Sequence, residues 1–521
     1  MFTARKLPIG IQDFEKLRTG NNVYVDKTAY LYRLASTESP YFLGRPRRFG
    51  KSLFLSTLKA YFLGKKELFD GLAIAELEKD WVEYPVIHLD INKAVYKNPQ
   101  SFENSLHVLL SECEAIWEIE NQLEDASLRF DRLISGAYKK TGRKVVVLVD
   151  EYDKPLVNTL DEPELNEALR KILKNFYGVL KSADANLRFV LLTGVTKFSK
   201  VSVFSDLNHL VDISMNKQYA GVCGISESEL TACFQPEITG LADDLGKSYE
   251  ATLAELKKRY DGYHFSPNSE GMYNPFSLLN TFDARVFKDY WFATGTPTFL
   301  VKMLKAADFD IRSLEGDVKI LARSIDDYRT EHENPVPLLY QSGYLTIKGY
   351  DTLFDEYILG FPNGEVKYGF FNELLPAYIQ GKNVQGEFSV ANFIRDLLAG
   401  NVDSFMIRLK AFFAGIPYEL NNKEEKHYQT IFFLLFRLMG QFIETEQRSA
   451  VGRADAVVVT SDTVFVFEFK LSKNATAEAA LKQIDNKGYL IPYTASGKKT
   501  VKVGAEFSAK ERGLSRWVKG N

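Results

Sequence analysis

Two short stretches of this 521-residue chain gather charged and hydroxyl side chains in patterns suited to phosphate chemistry. The first is RPRRFGKS, residues 45–52. It ends in Gly50-Lys51-Ser52, the close of the phosphate-loop pattern G-x-x-x-x-G-K-[ST]. In that loop backbone N–H groups cradle phosphates, the lysine reaches the β- and γ-phosphates and the hydroxyl binds Mg2+. Arg45 stands where the pattern has its first glycine. Pro46 can set the entry to the turn and Gly44 lies one residue away, so the departure does not imply decay. Arg45, Arg47 and Arg48 make the loop more basic than phosphate binding demands. Arg48 is the candidate phosphate contact. One of the three could instead serve a neighbouring subunit's site, in a homo-oligomer, or form surface salt bridges to the acids around Asp150–Asp153.

The second stretch is GRADAVVVTSDTVFVFEFK, residues 452–470. Strand periodicity puts Phe465, Phe467 and Phe469 on one face and Val464, Val466, Glu468 and Lys470 on the other. Glu468 and Lys470 therefore point the same way out of an otherwise apolar strand. Asp455 begins the preceding strand, and a hairpin would bring the two carboxylates together. Two acids and a lysine suit Mg2+-dependent phosphodiester cleavage. Asp455, Glu468 and the Phe469 carbonyl can hold the metal, and Lys470 can orient the water and steady developing charge. Glu425 heads a helical apolar stripe through Tyr428, Phe432, Leu435 and Met439, and can add a further acid. Gln483 lies on a helix beside Ala479 and Ala480, a small-residue face that can pack close to the sheet.

A phosphate loop needs acidic partners. VVVLVDEYDKP (145–155) is an apolar strand ending in Asp150-Glu151, and an ionisable pair there is costly unless it has work. Asp150 fits as a Mg2+ ligand, direct or through a metal-bound water, and Glu151 as the base that polarises the attacking water. FVLLTGVTKFSK (189–200) places Thr193, Thr196 and Lys197 where a γ-phosphate sensor would sit.

The elements that must position these groups follow from periodicity. YFLG (41–44), VIHLDI (86–91), VVVLVD (145–150) and FVLLTG (189–194) read as buried strands, with helical patterns such as SLFLSTLKAYF (52–62) between them. That alternation predicts a parallel sheet covered on both faces. Residues 226–310 read mostly as helices. PVPLLYQSGYLTIKGYD (335–351) reads as a winged-helix-like element with turns at both glycine sites. Strands then continue around a turn at Pro362-Asn363-Gly364.

Bulk composition narrows the class. The net charge is -3, with 65 basic against 68 acidic residues, which argues against coating nucleic acid by bulk charge while leaving room for a local channel. The three cysteines form neither a metal-ligand spacing nor a disulfide framework. The longest apolar runs, VVVLV and IFFLLF, are too short to span a bilayer, and the start has no signal-peptide core. The expectation is a cytoplasmic protein without a membrane partner.

LPIGIQDFEKLRTGNNVYVDKT (7–28), RPRRFGKS, LVDEYDKP, LTGVTKFSKVSVFSDLNHL (192–210) and WFATGTPTFLVKML (291–304) together resemble the bacterial AAA-ATPase-like family, related to archaeal-type and STAND P-loop ATPases. The resemblance covers roughly residues 5–370. It implies ATP as ligand, and a Gly-x-Pro motif in the lid, here Gly295-Thr296-Pro297, that contacts the base. The set Glu425, Asp455, Glu468-x-Lys470 and Gln483 resembles the PD-(D/E)XK nuclease superfamily, whose domain is commonly fused to such ATPases.

The expected architecture is α/β throughout. A P-loop ATPase core (1–225) with a parallel sheet carries a helical lid (226–310) and a winged-helix-like region with linker (311–384), followed by a PD-(D/E)XK nuclease domain (385–521). The expected function is an ATP-binding and ATP-hydrolysing nuclease, in which the P-loop module regulates Mg2+-dependent phosphodiester cleavage of nucleic acid, DNA rather than RNA, in a setting such as prokaryotic defence. The alternative is a signalling or scaffold NTPase whose nuclease fold has become a binding module.

Overall fold

The computed structural model describes residues 6–120, 123–197, 209–292, 300–301, 303–304, 307, 309–325, 334–379, 390–414, 425–440, 444–446, 454–472, 475–508 and 513–520, with backbone alone for 425–429 and 444–446. The chain forms two compact units. The first comprises Met1–Phe309 and Ser313–Val366, and the second Asp310–Arg312 and Lys367–Asn521. Among the described residues no helix is long and apolar enough to cross a membrane.

The first unit is built on a parallel sheet of β1 (Pro40–Gly44), β2 (Val86–Asp90), β3 (Val145–Asp150), β4 (Leu187–Gly194) and β5 (Val211–Asp212). Their order is β2-β3-β4-β1-β5. Every residue of β3 is buried, as expected for a central parallel strand covered on both faces. The helix Lys51–Phe62 packs on β2 and β3, and the helices Pro99–Trp117, Ala126–Thr141 and Pro163–Ser182 pack on one another. Because β4 lies between β1 and β3, the loop after β1 and the acids after β3 emerge at the same sheet edge with β4's polar end between them.

Helices Glu227–Leu245, Tyr249–Tyr260 and Pro275–Ala284 form the helical region expected after residue 226. They share an apolar core that includes Leu230, Phe234, Leu256, Tyr260 and Phe282. Ser226 and Glu229 close a capping box on the first of them, and Glu229 also pairs with Lys27 at 2.7 Å. The helix therefore starts where its orphan N–H groups are satisfied and is tied to the chain's N-terminal segment.

The sheet of β6 (Val318–Leu321), β7 (Thr346–Asp351) and β8 (Glu356–Gly360) is antiparallel in the order β6-β8-β7, with the helix Val336–Gln341 ahead of β7. Two expectations fail here. Gly349 sits within β7 at a register shift between Ile347 and Gly349, not in a turn. Pro362-Asn363-Gly364 does not turn one strand into another; it starts the helix Gly364–Ile379, and Asn363 Oδ1 accepts the Val366 N–H at 3.1 Å. Asn serves turns and helix starts alike because its side-chain oxygen accepts unpaired N–H groups, and Gly because its backbone bends without steric cost. The tripeptide alone does not separate the two.

The second unit holds a mixed sheet of β9 (Glu444–Glu446), β10 (Ala456–Val459), β11 (Thr463–Leu471), β12 (Lys499–Ser508) and β13 (Gly513–Gly520), in the order β13-β12-β11-β10-β9. β11 is central, antiparallel to β10 and parallel to β12. Its two faces divide as strand periodicity predicts. Phe467 packs on Phe405 and Phe436, and Phe469 on Phe432 and Phe507, against the helices Val402–Ala414 and Glu425–Met439. Val464 and Val466 pack with Ile484 and Tyr489 beneath the helix Ala477–Asn486.

Candidate phosphate-loop and nuclease sites

The phosphate loop leaves β1 and enters the helix Lys51–Phe62 through two left-handed residues, Arg48 (φ 67°) and Gly50 (φ 94°). The glycine of G-K-S is thus required by backbone conformation, since φ near 90° is reached freely only without a side chain. Lys51 is buried, and its Nζ donates to the carbonyls of Arg45 (2.9 Å) and Pro46 (3.1 Å). Burial lowers its pKa, and the charges of Glu151, Asp150 and Asp153 act against that shift. The loop is therefore curled around a buried ammonium.

A cleft of about 460 Å3 opens over this loop, lined by Arg48, Gly50, Lys51, Ser52 and Glu151 among others. The Arg48 guanidinium lies 3.9 Å from the centre of the Phe276 ring, which also lines the cleft. Asp150 is buried behind it, and its Oδ1 accepts from the Thr193 hydroxyl at 2.6 Å and from the Glu151 N–H at 3.1 Å. Glu151 itself is left-handed (φ 50°), an uncommon state for a non-glycine residue, and its carboxylate lies 3.5 Å from Lys154 Nζ. The turn thus separates the two acids, one held by Thr193 and one facing the cleft.

Lys197 is not brought to the cleft. Its ammonium pairs with Asp212 at 2.6 Å and its N–H donates to Gln341 Oε1 at 3.1 Å, around a smaller cavity behind the loop. Pro297, with Gly295 and Thr296, lies outside the described residues. Asp153 escaped the sequence reading. It is buried, and its Oδ2 accepts from the Val195 N–H (3.0 Å), the Thr196 N–H (2.6 Å) and the Thr196 hydroxyl (2.7 Å), so it holds the turn after β4. A second acid three residues after Asp150 was the available signal.

Trp291 closes another wall of the cleft, its Nε1 donating to the Arg47 carbonyl at 3.2 Å. Its backbone N–H donates to Glu365 at 2.8 Å, and the Ser277 hydroxyl contacts both Glu365 oxygens at 3.0 and 2.8 Å. Burial pushes the Glu365 carboxyl up to about 8. An unfolded glutamate titrates near ~4.3, so between these values the folded protein holds a proton that the unfolded chain has released. Folding stability must then fall as pH rises through that window, with a slope of roughly 1.4 kcal/mol per unit at most. Glu365→Gln keeps the shape and removes the titration. It is expected to flatten the decline in melting temperature between about pH 6 and 8, measured by thermal unfolding. An unchanged slope would show that Glu365 does not carry it.

In the second unit the register Ala456↔Phe467 places Asp455, one residue before β10 rather than at its first residue, opposite Glu468. Asp455 Oδ2 accepts the Phe469 N–H at 2.7 Å. Glu468 is buried, and its Oε1 accepts from Lys470 Nζ at 2.9 Å and from the Gln483 amide at 2.5 Å. Its Oε2 is buried with no hydrogen-bond partner among the described residues. Burial first, then the neighbouring charge of Asp455, raises the Glu468 pKa, and Lys470 opposes the rise. An orphaned carboxylate oxygen beside a second carboxylate fits a hard divalent cation that keeps several waters. No group of three or more His, Cys, Asp or Glu side chains is arranged as a metal site among the described residues. Glu425 begins its helix, and its side chain lies outside the described residues.

Gly504 lies beside Glu468 in the ladder. A side chain there would meet the backbone of Ala477 and, at 2.7 Å, that of Leu481. Only a bare backbone lets the helix Ala477–Asn486 approach so closely, and that approach brings Gln483 to Glu468. Gly504→Ala is expected to cost about 1–3 kcal/mol by overpacking and to weaken any activity that needs the Gln483–Glu468 contact. Thermal unfolding with a cleavage assay checks both, and an unchanged melting temperature would contradict the packing argument.

A loop curled around a buried lysine at the end of β1, with acids at the same end of β3 and β4 between the two strands, defines the first unit as an ATPase-like P-loop module. The acids, lysine and amide gathered on a central strand place the second among nuclease-type folds. Comparison with known proteins agrees. The family described as Predicted AAA-ATPase matches residues 8–204, and the PD-(D/E)XK nuclease superfamily matches residues 423–517. A relative from Azotobacter chroococcum mcd 1, described as an uncharacterized protein in the vnfD 5′ region, is 38% identical over 530 residues, covering 99% of this chain and 99% of the relative. The chain belongs to the predicted AAA-ATPase family and carries a C-terminal domain of the PD-(D/E)XK nuclease superfamily.

Proposed function

We propose that this protein is an ATP-binding and ATP-hydrolysing nuclease, in which the first unit regulates Mg2+-dependent phosphodiester cleavage of nucleic acid by the second. DNA is the preferred substrate class, and prokaryotic defence is the setting that such a pairing suits by analogy. The observation that carries the reading is the convergence of Asp455, Glu468, Lys470 and Gln483 on one sheet face, with Glu468 Oε2 unpartnered.

Asp455 and Glu468 would hold Mg2+, which when bound polarises a phosphoryl oxygen and acidifies its water. Lys470 opposes the rise that burial imposes on the Glu468 pKa, and so favours its ionised form. Its ammonium can orient the attacking water and offset the charge that builds on phosphorus. Gln483 fixes the Glu468 carboxylate plane. In the first unit Lys51 and the loop N–H groups bind the phosphates, and Arg48 lies at the cleft rim as a further cation. The Ser52 hydroxyl and Asp150, held by Thr193, would serve Mg2+, and Glu151 is placed to polarise water.

The test is a cleavage assay on DNA and RNA, with and without ATP and with Mg2+ present or chelated. Cutting that requires Mg2+ and responds to ATP is expected. If the wild-type chain cuts neither substrate under any nucleotide condition, the scaffold-NTPase reading replaces this one.

A further inference from the structure

Arg45, which replaces the loop's first glycine, is among the most deeply buried side chains of the protein, with 1% of its surface exposed. It points away from the cleft. Its Nη1 donates to the carbonyls of Gly44 (2.8 Å) and Ser214 (2.7 Å), and its Nη2 to that of Tyr219 (2.9 Å). Its guanidinium carbon lies 4.1 Å from the centre of the Phe265 ring. Among the described residues no carboxylate lies within ion-pair distance of it. This excludes, for Arg45, both the surface salt bridge and the finger into another subunit.

The backbone at position 45 shows why glycine is not needed. Arg45 is not among the left-handed residues of the loop. Its N–H continues the ladder to the Gly194 carbonyl at 3.1 Å, and its own carbonyl is one of the two that hold Lys51 Nζ. The segment it grips forms the back wall of the loop, since the Ser214 hydroxyl accepts the Gly44 N–H at 2.7 Å and the Gly224 N–H donates to Phe49 at 3.1 Å. A fork of donors thus bolts the start of the loop to that wall. It also buries a positive charge at the start of the phosphate loop, hydrogen-bonded to neutral carbonyls, with its Nε unpartnered among the described residues and the charge of Asp212 acting on it from a distance. A buried charge of this kind is costly by itself and is relieved by an anion nearby.

We infer that Arg45 is a positioning residue of the phosphate loop, which pre-sets the Lys51 cradle and supplies buried positive potential for a nucleotide's phosphates. This rests on the reading of the loop as a nucleotide site. It reverses the expectation from the motif: restoring the glycine weakens binding.

The experiment measures Mg2+-dependent binding of a fluorescent ATP analogue and of the matching AMP analogue to the full chain and to Arg45→Gly, Arg45→Met and Arg45→Lys, with thermal unfolding alongside. Arg45→Gly is expected to weaken ATP binding by about tenfold or more. Arg45→Met keeps bulk without charge and should lose a similar factor, more for ATP than for AMP. Arg45→Lys should recover part of the loss. A merely structural role would weaken both analogues alike. Should the glycine variant fail to fold, the methionine and lysine variants decide the matter. Wild-type ATP affinity in Arg45→Gly or Arg45→Met, or equal losses for both analogues, overturns the inference. If the wild-type chain binds no ATP analogue, the nucleotide-site reading itself fails.

Discussion

Lys470→Ala is expected to lower Mg2+-dependent cleavage by about 10^2 to 10^3-fold, the range for losing one preorganised electrostatic donor. The side chain is partly exposed and pairs with Glu468, so truncation leaves the apolar strand and both packed faces intact. The effect is therefore chemical. Without the ammonium, the buried Glu468 keeps only Gln483 at Oε1, and Asp455 raises its pKa further. The site then loses the cation that offsets charge on the phosphate and the ionised carboxylate that would hold the metal. Glu468→Gln should give a comparable loss and abolish Mg2+ binding measured by calorimetry. Cleavage by Lys470→Ala at the wild-type rate, on a substrate the wild type cuts, would remove this lysine from the chemistry.

Lys51→Ala is expected to eliminate ATP binding, raising Kd by about a hundredfold or more, or ~2.7 kcal/mol. Lys51 Nζ meets the Arg45 and Pro46 carbonyls inside the loop, so its loss both removes the charge that would face the phosphates and leaves two carbonyls without this donor. Each unsatisfied buried group costs about 1–3 kcal/mol. Against this, a buried ammonium is itself expensive, so the free protein should remain folded and change little in melting temperature. The clear reading is the ATP-induced rise in that temperature, worth ~2.7 kcal/mol of stability at a hundred times Kd. It should vanish in the variant. Tight nucleotide binding that survives the substitution would end the phosphate-loop assignment.

Much of the candidate sites was legible because it depends on local periodicity. A run such as VVVLVD can only be a strand buried on both faces, and its terminal acids must then lie at the sheet edge. Period two alone turns Glu468 and Lys470 to one side and Phe467 and Phe469 to the other, and the structure keeps that division. Residues whose role depends on a distant partner were harder. Lys197 looked like a sensor from its place after β4, yet its ammonium found Asp212. Pro362-Asn363-Gly364 looked like a hairpin because Asn and Gly serve turns and helix starts alike.

The α/β class, the G-K-S lysine and the Glu-x-Lys face are legible along the chain because periodicity and short spacing set them. Where Arg45 points and why Gly504 must be bare depend on contacts between distant segments. The carbonyls that Arg45 grips at Ser214 and Tyr219, and the helix backbone resting on Gly504, come from segments far along the chain. Which distant segments meet is set by strand order and helix docking, and a main-chain carbonyl carries no side-chain signature by which a sequence could announce it.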